Sequence, residues 1–277
     1  MRPRAVALVA ARELREAMRG RWFVAAAACF FVLSLGLALL GLAGAERSGL
    51  AGFDRTTASV ANLALVFVPL VTLTLGGLGI AGELEDGSLA LLLAQPLTRL
   101  EAYGGKYLGL LAAVTAAVCA GFGGTGVVVG WAAGGGRAAA YLALVGLTVL
   151  LAAATLGIGT LLSVLLRSRA RVVGAAFTVW LALVYVSDLG TIGLAVARRL
   201  APAQVFALAA LNPVQQARVA ATLVLSDRVD VLGPVGAWGE DTFGMTGLVA
   251  VLVGLLLAAA AGALVAGWMA FRKVPVT

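Results

Sequence analysis

The chain has 277 residues, 62% of them hydrophobic and 12% charged, and carries a formal net charge of +7. A mean hydropathy of +1.04 argues against a soluble domain and predicts an all-α polytopic membrane protein, since helices satisfy their own backbone hydrogen bonds in lipid. Histidine is absent, which excludes His-based triads, HExxH sites and most zinc and haem sites, so no catalytic, cofactor or metal residue is assigned.

In chain order, residues 1 to 21 set Arg2, Arg4, Arg12, Arg15, Arg19 and Arg21 beside Val6, Val9, Leu14 and Met18. This predicts a basic amphipathic helix along the cytoplasmic headgroups. The run Trp22 to Ala45 is longer than a signal-peptide core and reads as a first span. A polar connector, Glu46 to Ser59, carries Arg47, Asp54 and Arg55 and leads to a second span, Val60 to Ala81.

Residues 82 to 106 interrupt the apolar sequence, and the chain is organised around them. Glu83, Glu85 and Asp86 precede Gly87; Ser88 is placed to cap a short helix containing Leu89, Leu91, Leu92 and Leu93, which Pro96 stops. Thr98-Arg99-Leu100-Glu101 reads as a capping box opening the next helix. A leucine helix too short to cross a bilayer either lies on lipid or docks in an apolar groove of a partner. The carboxylates beside it, repelled by anionic headgroups, favour docking.

Further spans are predicted at Tyr107 to Ala132, Ala138 to Leu166, Val172 to Leu194 and Gly247 to Phe271, with a Gly-rich turn through Arg137. Six spans put both termini inside, as does the concentration of Arg and Lys at residues 2 to 21, 99 to 106, 167 to 171 and 272 to 273. The basic pI is thereby explained by topology, and nucleic-acid binding is not expected.

Between the last two spans, residues 195 to 246 are broken by Pro202, Pro213 and Pro234. Ala203 to Leu211 and Val214 to Leu225 read as short outer helices of a re-entrant kind, followed by a solvated acidic tail with Asp227, Asp230, Glu240 and Asp241. This is the sizeable outer surface open to an extracytoplasmic partner. Asp188 is a carboxylate in apolar surroundings, which costs about 3 kcal/mol at a bilayer centre. Near the outer interface, it is either a solvated helix end or a working intramembrane residue.

Gly121-Phe-Gly123-Gly-Thr-Gly126 lies inside an apolar span without a preceding strand, and Gly104-Gly105-Lys106 lacks the flanking residues of a phosphate loop. The chain itself is therefore not expected to bind ATP. Gly126, Gly130 and Gly134 follow the small-residue spacing of packed membrane helices, within one subunit or between two.

These features together resemble an ABC transporter permease of the export (ABC-2-like) type. They are the Arg19-Gly-Arg21-Trp22 end of the first helix, the segment with Glu83, Gly87, Pro96, Arg99, Gly105 and Lys106, and Leu211-Asn212-Pro213. Gly52-Phe53, Thr57-Ala58-Ser59, Asn62-Leu63, Val68-Pro69-Leu70, Leu91-Leu92-Leu93 before Gln95-Pro96-Leu97, Asn212-Pro213 with Arg218, and Phe271-Arg272 are similar to the NosY-type permeases of nitrous oxide reductase maturation.

The resemblance implies one permease domain, residues 1 to 277, in the bacterial inner membrane. It implies a homodimer, a separate cytoplasmic ABC ATPase binding ATP and Mg2+, and a periplasmic solenoid partner. It also implies coupling to the ATPase through Glu83, Glu85, Gly87, Ser88, Leu91, Leu92, Pro96 and Arg99, and outer partner contact at Asn212, Pro213 and Arg218. Copper-site assembly is implied, yet Cys29 and Cys119 stand singly on different spans, so a copper path through the chain is not expected. A general exporter of drugs, lipids or peptides is the alternative. An intramembrane enzyme is disfavoured, because no nucleophile with its base is visible.

Overall fold

A computed structural model describes residues 2–48, 51–133, 138–226 and 230–274, without the side chains of 42–48, 51–56, 128–133 and 230. The side chains of Arg47, Asp54 and Arg55, the Arg137 turn, the surroundings of Gly130 and Gly134, and Asp227 and Asp230 lie outside what is described. The described residues form helices α1 (Pro3–Arg19), α2 (Arg21–Ser48), α3 (Ala51–Glu85), α4 (Ser88–Leu93), α5 (Arg99–Ala133), α6 (Ala138–Leu166), α7 (Arg169–Leu181), α8 (Ser187–Arg198), α9 (Pro202–Ala209), α10 (Pro213–Ser226) and α11 (Gly233–Phe271). A π turn, Ala182–Val186, joins α7 to α8, so the two form one span.

Among the described residues, six helical stretches are long and apolar enough to cross a membrane: Arg21–Gly41, Thr57–Glu85, Arg99–Val127, Ala138–Leu166, Arg169–Arg198 and Gly233–Phe271. Three boundaries differ from expectation. Most of the polar connector from Glu46 to Ser59 is helix, because α2 runs to Ser48 and α3 begins at Ala51. Glu83 and Glu85 belong to the last turn of α3 rather than to a loop. The last helix starts at Gly233 and breaks at Gly244, whose φ of 70° interrupts the helical backbone before the sixth span.

Helices α3 and α6 form the centre. In their most apolar stretches 61% of residues are buried, against 22% in α2 and α11 and 17% in α7–α8. Small residues permit this approach: a Cβ on Gly76 would lie 2.7 Å from the Leu156 carbonyl, and one on Gly159 would lie 2.6 Å from that of Leu73. Thr72 and Thr155 share a buried hydroxyl hydrogen bond of 2.7 Å across the same seam. Along the C-terminal half of α5, Gly121 packs on Phe30, Gly124 on Phe31 and Gly126 on Tyr141 of this chain.

The N-terminus, the 82 to 106 segment and the C-terminus meet at one end. The Arg2 amide donates to Glu101 (2.6 Å), and Arg99 Nη1 donates to the carbonyls of Arg272 (3.0 Å) and Val274 (2.8 Å). Arg169, at the start of α7, donates its amide to Glu85 (3.0 Å) and pairs with Asp86. We call this the basic end. Helices α9 and α10 occupy the opposite end, where α10 inserts into the bundle and buries Val214, Ala217, Ala220, Ala221 and Leu223.

Candidate functional site

At the basic end, helix α1 packs onto the bundle. It buries Val9, Glu13 and Ala17, four residues apart on one face, against α5. Gly105 and Gly109 make room for it: a Cβ on Gly105 would lie 2.6 Å from Val9 Cβ, and one on Gly109 the same distance from Glu13 Cβ. Between these glycines, Lys106 Nζ reaches Glu13 Oε1 at 2.5 Å and Glu83 Oε1 at 2.8 Å. Arg12 approaches the same Glu83 oxygen at 3.7 Å. Lys106, on α5, thus ties α1 to α3 in a buried charge network.

Glu13 lies outside the spans, and burial raises its carboxyl above the ordinary glutamate value while the Lys106 ammonium opposes that rise. The sequence clue to this network is a lone acidic residue on the buried stripe of a basic helix, opposite a lysine flanked by Gly105 and Gly109. Glu83, expected at a partner surface, serves this internal network; its second oxygen is buried without a hydrogen bond.

The short helix α4 spans Ser88–Leu93 as expected, but Ser88 does not cap it. Gly87 takes the cap position with φ 73°, a left-handed conformation that glycine adopts without strain. Leu89 and Leu92 are buried at 2% and 4% exposure, in a cluster with Ile80, Tyr103 and Phe271. Leu91 points away, at 74% exposure. Leu92 is therefore an anchor of α4 on its own chain, and Leu91 is the exposed leucine of the helix.

The Thr98 capping box forms: the Glu101 amide donates to Thr98 Oγ1 (3.2 Å) and the Thr98 amide to Glu101 Oε2 (2.9 Å). Pro96 is exposed, and its carbonyl accepts from Arg2. Arg99 holds the carbonyls at the end of α11, which its positive charge also suits.

At the far end, Asp188 is no isolated carboxylate. It accepts hydrogen bonds from Gln215 and Arg218 of α10, and with Arg218 forms an ion pair. Asn212 and Pro213 are buried, so neither presents a surface to a partner. Instead, Asn212 Oδ1 accepts from the Val214 amide (2.9 Å), capping α10, while Asn212 Nδ2 donates to the Leu183 carbonyl (2.6 Å) in the π turn. Replacing Asn212 with Ala is expected to cost about 1–3 kcal/mol, because both groups lose buried partners. A thermal melt of the detergent-purified protein checks this; an unchanged midpoint would contradict it.

The fold and its basic end define a multi-pass, all-α membrane protein with a short helix held out between its second and third spans. Residues 7–275 match the family model described as ABC-2 family transporter protein, and the chain belongs to that family. It is 32% identical over 211 residues, 74% of the chain and 77% of the relative, to the "Probable ABC transporter permease protein NosY" of Pseudomonas aeruginosa. To the protein of the same name from Stutzerimonas stutzeri it is 40% identical over 115 residues, 42% of each chain. The chain is an ABC-2-type membrane permease related to NosY.

Proposed function

We propose that this permease docks a separate cytoplasmic ABC ATPase through α4, and that the ATPase holds the ATP and Mg2+ while this chain carries the resulting motion across the inner membrane. The observation that carries the reading is the division of labour in α4. Leu89 and Leu92 fix the helix to the bundle, and Leu91 stands 74% exposed where a headgroup surface would be polar. Glu85 and Asp86, exposed beside it, add polar contacts at the rim. Arg and Lys gathered at this end support its placement in the cytoplasm, with both termini.

The buried network of Glu13, Lys106 and Glu83 suits transmission, since it joins α1 and α5 to the last turn of α3, immediately before α4. The exposed apolar faces of α2 and α7–α8 suit a homodimer partner as well as lipid. At the far end, Glu240 and Asp241 are exposed and offer polar surface to a periplasmic partner of solenoid type. By relation to NosY, the system supports copper-site maturation of nitrous oxide reductase. Copper does not pass through this chain, because Cys29 on α2 and Cys119 on α5 form no series of soft ligands.

The docking is tested with Leu91→Asp, which leaves Leu89 and Leu92 in place. The variant should insert and fold normally but lose most of the copurifying ATPase, at least tenfold. Undiminished copurification would sink the docking role of α4.

A further inference from the structure

The far end holds a pocket of about 270 Å³ between α8, α9, α10 and the start of the sixth span. Its walls include Phe206, Leu248 and Leu252, and its polar lining is Asp188, Thr191, Gln215, Gln216 and Arg218. Gln216 is 3% exposed; its Nε2 donates to the Ala210 carbonyl (2.5 Å), but its Oε1 accepts nothing. A buried acceptor without a donor costs about 1–3 kcal/mol, so a ligand that donates to it is favoured.

The charges narrow the ligand further. A carboxylate offers about four acceptor positions and a guanidinium five donors. The hydrogen bonds that Asp188 accepts from Gln215 and Arg218 occupy two of the former, and the ion pair one of the latter. The site can therefore receive a cationic N–H donor at Asp188 and Gln216 together with an anion at Arg218. Depth points to where such a zwitterion comes from. Asp188 lies 19 residues beyond Arg169 of the basic end, roughly 28 Å along the helix, close to the thickness of a hydrocarbon core. Leu189, Ile192 and Val196 form an exposed apolar stripe on α8 beside the pocket, at 72%, 64% and 75% exposure. At about 30 Å³ per water, the pocket has room for about nine waters, the bulk of a headgroup and not of acyl chains.

We infer that this pocket binds the phosphoethanolamine headgroup of a phospholipid in the leaflet at the far end, with its acyl chains along the α8 stripe. The ammonium donates to Gln216 and Asp188, and the phosphate accepts from Arg218. A trimethylammonium head has no N–H to donate and is refused.

The test is native mass spectrometry of the full-length, delipidated permease with dioleoyl phosphatidylethanolamine or dioleoyl phosphatidylcholine. Phosphatidylethanolamine should be retained at least tenfold better, at one per chain. Gln216→Met, which removes the acceptor, and Val205→Phe, which fills the pocket from α9, should each abolish the preference. Free phosphoethanolamine distinguishes the sources: competition by it at matched concentration assigns a soluble ligand of the same chemistry, and failure to compete assigns the lipid. Equal retention of the two lipids by the wild type, or a preference that survives both substitutions, would overturn the inference.

Discussion

Replacing Lys106 with Met is expected to be the most damaging single change in the chain. Lys106 is 2% exposed, and its removal leaves Glu13 and Glu83 facing each other in a buried site with Arg12 as the remaining cation, at 3.7 Å from Glu83. Removing one partner of a buried ion pair costs about 3–5 kcal/mol, because the other charge stays desolvated. Replacing both glutamates with Gln in the same chain should restore most of the loss, since the cost lies in the unpaired charges.

The pH dependence follows from Glu13, whose carboxyl burial holds above its ordinary value of 4.5. A carboxyl raised in the folded state favours folding in its protonated form. Its contribution is complete below the unfolded value and is lost as pH rises through the raised folded value. Lys106 opposes the rise, so without it the rise is larger. The Lys106→Met variant should therefore lose more at pH 8 than at pH 5 relative to wild type. Thermal melts at the two pH values read this directly, and a deficit independent of pH would count against the network.

Replacing Gly109 with Leu should lift α1 from α5. The added Cβ would meet Glu13 Cβ at 2.6 Å and also crowd the Ala10 backbone, which cannot rotate away. Overpacking costs about 1–3 kcal/mol where a core can adjust, and here the easier adjustment is displacement of α1. Ala17 is buried on the docked face at 8% exposure. With Cys29 and Cys119 replaced by Ala, a thiol introduced as Ala17→Cys should resist maleimide when Gly109 is present and label readily beside Gly109→Leu. Continued protection would show that α1 is held by other contacts.

What the sequence discloses here depends on range. The Thr98 and Glu101 capping box and the short α4 were legible because their partners lie within a few residues and Pro96 sets the stop. Ser88 does not cap α4, because a left-handed Gly87 takes the cap position without a side chain. The link from Glu13 to Lys106 joins positions 93 apart and exists only once α1 folds onto α5. Asp188 and Arg218 were each conspicuous alone, but their pairing depends on α10 entering the bundle. The resemblance implies partner contact at Asn212, yet the residue is buried, and the Leu183 carbonyl it serves is presented by a π turn that no residue in 182 to 186 announces.

Photocrosslinking in native membranes shows whether the exposed face of α4 meets a cytoplasmic ATPase. A benzophenone side chain placed at Leu91 should yield a covalent product containing the ATPase. The same group at Leu211, 81% exposed at the far end, should yield none. An ATPase adduct from position 211, or its absence from position 91 while the ATPase copurifies, would contradict docking at α4.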